Sequence, residues 1–106
     1  MKDFKGKRVV IMGLGLHGGG AGAARFFCQK GAKVLVTDLK EEKKLKSSLE
    51  KLKGLPIKYV LGEHREKDFK QADLVIKNPG VPEDSPFLKI ARDNRVPVET
   101  DINIFF

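Results

Sequence analysis

The chain has 106 residues, of which 41% are hydrophobic and 33% charged, with a formal net charge of +7. That length suits a single domain, expected over residues 1–106, and is small for a complete enzyme with two substrate sites. The apolar runs are too short to span a bilayer, and one cysteine, Cys28, excludes an internal disulfide and a cysteine-based metal cluster.

In chain order, "MKDFKGKRVVIMG" has no apolar signal-peptide core before its first strand-like segment, so a cytoplasmic protein is expected. "KRVVIM", residues 7–12, is β-branched and bounded by glycine, as in a strand buried on both faces. "AGAARFFCQKGA" then sets Ala21, Ala24 and Cys28 on one helical face and ends at Gly31, a natural C-cap. "KVLVTD", residues 33–38, predicts a second strand, followed by a charged helix from about residue 41 to 53 with Leu45, Leu49 and Leu52 as its buried stripe.

"IKYVLG", residues 57–62, predicts a third strand, "REKDFKQA" a short helical turn, and "DLVIK", residues 73–77, a fourth strand. After "NPGVPEDSP", Asp84 or Ser85 is expected to cap a helix with Pro86 in its first turn and Phe87, Ile90 and Ala91 as its buried side. A fifth strand is expected near residues 96–99. Such alternation predicts an α/β chain of Rossmann-like, doubly wound type: a mainly parallel five-stranded sheet with helices on both faces.

Gly13, Gly15 and Gly18 form a G-x-G-x-x-G between the first strand and helix. Gly13 suits a tight turn, Gly15 lets a pyrophosphate reach the backbone, and Gly18 lets the helix lie close; the helix N-terminus then faces the anion. Gly19, Gly20 and Gly22 predict either a late-starting helix or a close backbone approach. Asp38, about 20 residues after Gly18, can accept from a ribose hydroxyl pair or a base N–H and would repel a 2′-phosphate, which disfavours NADP. With no G-x-x-x-x-G-K-[ST], the ATP-binding cradle of P-loop enzymes is missing.

His17 at the turn can bond a phosphate oxygen or stand as a plain surface residue, and His64 in "GEHRE" reads as solvated. Lysines concentrate in "LKEEKKLKSSLEKLKG", whose polar positions read as the solvated face of the charged helix, and no aromatic residues are interleaved with basic ones on a strand as a stacking platform, which argues against nucleic acid. It can still draw in a small polyanion.

"GKRVVIMGLGLHGGGAGAARFFCQKGAKVLVTDLK", with "ADLVIKNPGVPEDSPFLKIARDNRVPVETDINIFF", resembles the N-terminal domain of the Mur ligases, above all the D-glutamate-adding members. The resemblance implies that the chain binds the UDP part of UDP-N-acetylmuramoyl-L-alanine and is a fragment of a longer ATP-dependent ligase of peptidoglycan synthesis. ATP and Mg would then bind in further domains in cis, leaving no cofactor and no catalytic residue here. Carried over, Leu16 and His17 lie by the diphosphate, Asp38, Leu39 and Lys40 by the uracil and ribose, and Asn78 and Gly80 near the uridine, while Gly13, Gly15 and Gly18 of the same loop count with them as substrate-binding.

The chain departs from the family pattern at His17, at Gly19 and Gly20, and at Leu39 and Lys40. The alternative from a different class is an NAD-binding module of a dehydrogenase or a ligand-sensing regulator. On the leading reading, Gly15→Val blocks the ligand and spares the fold, and Asp38→Ala weakens the ligand with little effect on stability.

Overall fold

The computed structural model describes residues 3–15 and 19–100. Five strands, β1 (Arg8–Met12), β2 (Lys33–Asp38), β3 (Ile57–Leu61), β4 (Leu74–Lys77) and β5 (Val98–Thr100), form one parallel sheet in the order β3-β2-β1-β4-β5. The connecting helices are α1 (Gly19–Gln29), α2 (Lys46–Lys51), α3 (Glu66–Gln71) and α4 (Pro86–Asp93), with a 3-10 turn at Glu42–Lys44. The fold is the expected α/β Rossmann-like one, and every ladder between its strands is parallel.

β1 lies at the centre, and its apolar run serves both faces of the sheet. Val9 and Ile11 point into the layer beneath α1 and α2, where Phe27, Leu45 and Leu52 meet Val34, Val36 and Ile76. Val10 and Met12 point the other way, toward Phe69 of α3, Leu88 and Ala91 of α4, and Val75. A strand buried on both faces has no polar alternation, so the continuous run in the sequence is its natural signature.

Both long helices end as their sequences require. Gly31 takes φ +81° after α1, with Gly31 N donating to Cys28 O and Ala32 N to Phe27 O, a Schellman closure. The same closure ends α4, where Val96 N reaches Ala91 O at 2.8 Å, but there Arg95 occupies the left-handed position at φ 61°. Ser85, not Asp84, caps α4, its Oγ accepting from Phe87 N.

Three expectations shift. The charged helix breaks at Leu45 (φ −113°, ψ 9°), where the 3-10 turn closes through Leu45 N to Glu42 O and α2 begins through Leu49 N to Leu45 O. This bend keeps Leu45 and Leu52 buried together. α4 is turned so that Leu88 and Ala91 are fully buried, while Phe87 and Ile90 are only partly so, because Phe87 forms part of the wall of a cleft. β5 starts at Val98, after the buried Val96 has served the α4 closure. Among the described residues no helix is long and apolar enough to cross a membrane. Residues 101–106, the end of the family-like pattern, lie outside the described residues.

Candidate functional site

The strand order reverses beside β1, whose neighbours β2 and β4 lead away in opposite directions. At such a switch the loops leaving the carboxyl ends of adjacent strands diverge and open a crevice. The loops after β1, β2 and β4 meet there around a cleft of about 650 Å³, lined by Gly13, Asp38, Leu39, Lys40, His64, Gly80, Val81 and Phe87 among others. A hollow of about 760 Å³ between α2 and β3 is lined by leucines, lysines and Tyr59, away from these strand ends.

Asp38 organises the floor. It is 8% exposed; its Oδ2 accepts from Leu14 N at 2.9 Å and its Oδ1 from Lys40 N at 2.9 Å. The glycine loop is therefore tied to the end of β2 by a charged acceptor, and Gly13 N adds a bond to Thr37 O at 2.8 Å. Each carboxylate oxygen retains further acceptor capacity toward the cleft. The expectation that Asp38→Ala has little effect on stability is thus corrected, since two backbone amides lose their partner.

Gly13 and Gly15 have φ of +89° and +74°. A Cβ at Gly15 would overlap the Asn78 side-chain amide, whose carbon Cγ lies 3.3 Å from that position. Gly15 is therefore required by its conformation and by Asn78 before any ligand is considered, and Gly15→Val strains the loop itself. A Cβ on Gly20, in the first turn of α1, would overlap the backbone of Gly13 and Leu14, and Gly20 N donates to Leu14 O at 3.1 Å. Of the two possibilities for the extra glycines, the close approach holds at Gly20, and α1 starts at once with Gly19.

Of the residues the sequence singled out, Gly13, Asp38, Leu39, Lys40 and Gly80 line the cleft together. Asn78 and Gly15 meet behind its rim, and Asn78 Oδ1 accepts from Gly80 N at 2.9 Å, shaping the loop after β4. Leu16, His17 and Gly18 lie outside the described residues. Leu39 is 65% exposed at the cleft mouth, a large apolar side chain available to a ligand's ring.

Two residues were missed. His64 is not a solvated side chain: its Nδ1 lies 2.7 Å from Thr37 Oγ1, and its ring packs edge-on against Phe69 and Phe87. Thr37 has one hydroxyl proton and donates it to Glu63 O at 3.0 Å. The network therefore assigns the His64 proton to Nδ1 and leaves Nε2 as an acceptor. Burial lowers the His64 pKa, and the Asp38 charge opposes this in part. Lys77, 3% exposed at the end of β4, donates to Val81 O at 2.8 Å beneath the loop. The sequence signal for His64 is only the glycine turn at Gly62 that brings residue 63 back to Asp38; for Lys77 it is a lysine directly after a buried apolar run.

Residues 7–100 match the family model for the Mur ligase MurD-like N-terminal domain. A UDP-N-acetylmuramoylalanine--D-glutamate ligase of Roseiflexus sp. is 52% identical over 98% of this chain, which spans 22% of that relative's length. The crystal structure of UDP-N-acetylmuramate-alanine ligase from Thermotoga maritima superposes with a TM-score of 0.69 at 31% identity, covering 93% of this chain and 22% of that one. A UDP-glucose dehydrogenase from Pyrobaculum islandicum shares the fold alone, at a TM-score of 0.57 and 23% identity over 71% of this chain and 18% of its own. The chain belongs to the family of Mur ligase MurD-like N-terminal domains.

Proposed function

We propose that this chain holds the UDP part of UDP-N-acetylmuramoyl-L-alanine, as the N-terminal domain of an ATP-dependent D-glutamate-adding ligase of peptidoglycan synthesis acting in the cytoplasm. The observation that carries the proposal is the meeting of three loops in one cleft: the glycine loop, the Asp38 turn and the loop after β4. All three fall within the stretch shared with the D-glutamate ligases. The diphosphate is assigned to Gly13 and Gly15 and, from the family pattern alone, to Leu16, His17 and Gly18, with the α1 N-terminus adding a favourable dipole. Asp38, Leu39 and Lys40 take the ribose and uracil, the carboxylate accepting hydroxyl or ring N–H protons and Leu39 covering the base. Asn78 and Gly80 close the uridine side.

In this reading the chain binds and orients, and bond formation belongs to other domains of the ligase. One feature of the sequence fits that division: the glycine loop has no phosphate-binding lysine. ATP and Mg are assigned to those other domains as part of the same proposal.

Calorimetric titration of the chain with UDP-N-acetylmuramoyl-L-alanine, UDP and NAD, in parallel at one moderate salt concentration, tests the proposal. Heat with both uridine nucleotides and none with NAD is expected. Binding of NAD alone would return the glycine loop to a dinucleotide role and overturn the assignment.

A further inference from the structure

Lys77 ends β4 with its side chain turned into the protein. A buried ammonium is costly unless acceptors meet its protons. Here Nζ donates to Val81 O at 2.8 Å and to Asn78 O at 3.4 Å, and Glu83 lies 3.5 Å away. Glu83 in turn accepts from Arg92 of α4 at 3.1 Å. The ammonium sits inside the turn that leaves β4 and holds two of its carbonyls inward. Val81 N closes that turn on Asn78 O at 2.9 Å, and the Asn78 carboxamide bridges outward, accepting from Gly80 N and resting against Gly15.

We propose that Lys77 is a positioning residue of the cleft: its ammonium sets the shape of residues 78–81, and through the Asn78 side chain it sets how that loop meets the glycine loop. Replacing Lys77 by an apolar side chain takes the donor from two carbonyls and is expected to lower global stability as well. The role itself is therefore read from the local order of the loop and from ligand affinity. Only the affinity part rests on the UDP reading above.

The test uses Lys77→Met, Asn78→Ala and the double variant. In the ligand-free protein, Lys77→Met is expected to speed amide exchange at Gly80 and Val81 by about tenfold or more beyond any change at the β1 and β4 amides, which report global unfolding. UDP affinity is expected to fall by about tenfold in each single variant, and no further in the double, because residues acting in one chain of contacts are not additive. Unchanged loop exchange, or losses that multiply in the double variant, would overturn the role. If the unsubstituted protein does not bind UDP, the binding proposal fails and the exchange measurement alone decides on Lys77. Should Lys77→Met not fold, the Nζ protons of the unsubstituted protein decide. Slow exchange is expected, and free exchange with solvent overturns the proposal.

Discussion

Asp38 satisfies two backbone amides without help from a ligand, and that double bond makes it a structural residue as well as a candidate contact. Loss of a charged acceptor costs a buried N–H about 1–3 kcal/mol, and of the two amides only that of Leu14 is buried while that of Lys40 can turn to water, so Asp38→Ala is expected to lower stability by about 1–3 kcal/mol in urea unfolding, with an unchanged slope. A midpoint equal to that of the unsubstituted protein would mean that water replaces both bonds. His64 makes the same point through pH. Its folded pKa lies below the ordinary value of 6.5, so the unfolded chain binds the proton more readily. Its contribution is complete above the ordinary value and is lost as the pH falls from there through the depressed folded value. His64→Phe is expected to flatten the melting temperature against pH across that window; a profile of the same slope would place the titrating group elsewhere. Neither role was legible locally. Asp38 is 24 residues from Leu14 and His64 is 27 from Thr37.

At the scale of an element, α1 shows that neighbouring glycines can be required for different reasons. A Cβ at Gly20 would lie 2.6 Å from Leu14 Cα, and the obstacle is backbone that cannot step aside. A Cβ at Gly22 meets nothing within 4 Å. Gly22→Ala is therefore expected to raise stability by about 0.5–1 kcal/mol, because alanine is the better helix former. Gly20→Ala is expected to cost about 1–3 kcal/mol, as overpacking does. Thermal unfolding of both variants checks the contrast, and equal effects would show that α1 can slide away from the loop. The glycine cluster is visible in the sequence, but which glycine packs tightly is decided by the angle at which α1 leaves β1. The break at Leu45 likewise escapes a reading by periodicity, because the leucine spacing fits one continuous helix equally well.

For the molecule as a whole, the segment between β2 and β3 carries six of the 21 lysines and arginines, and Lys44 there is exposed. Lys44→Ala is expected to change stability by less than about 0.5 kcal/mol and UDP affinity by less than about twofold, since it touches neither core nor cleft. A large loss in the same calorimetric titration would move the ligand toward α2 and the hollow beside it. The strand order supports the cleft's placement instead, because the reversal beside β1 gathers at one end of the sheet loops that are far apart in the chain.

By itself the sequence determined the alternation of strands and helices, the parallel sheet, the glycine turn after β1 and the resemblance to the Mur ligases. These follow from runs, spacings and turn residues that act over a few positions. Tertiary structure alone decided that Asn78 faces Gly15, that Thr37 holds His64, and that Lys77 is buried beneath the loop after β4. Each depends on which strands lie side by side and how their loops converge. Neighbours in space but not in sequence leave no local pattern, whereas an apolar run buried on both faces of a sheet does.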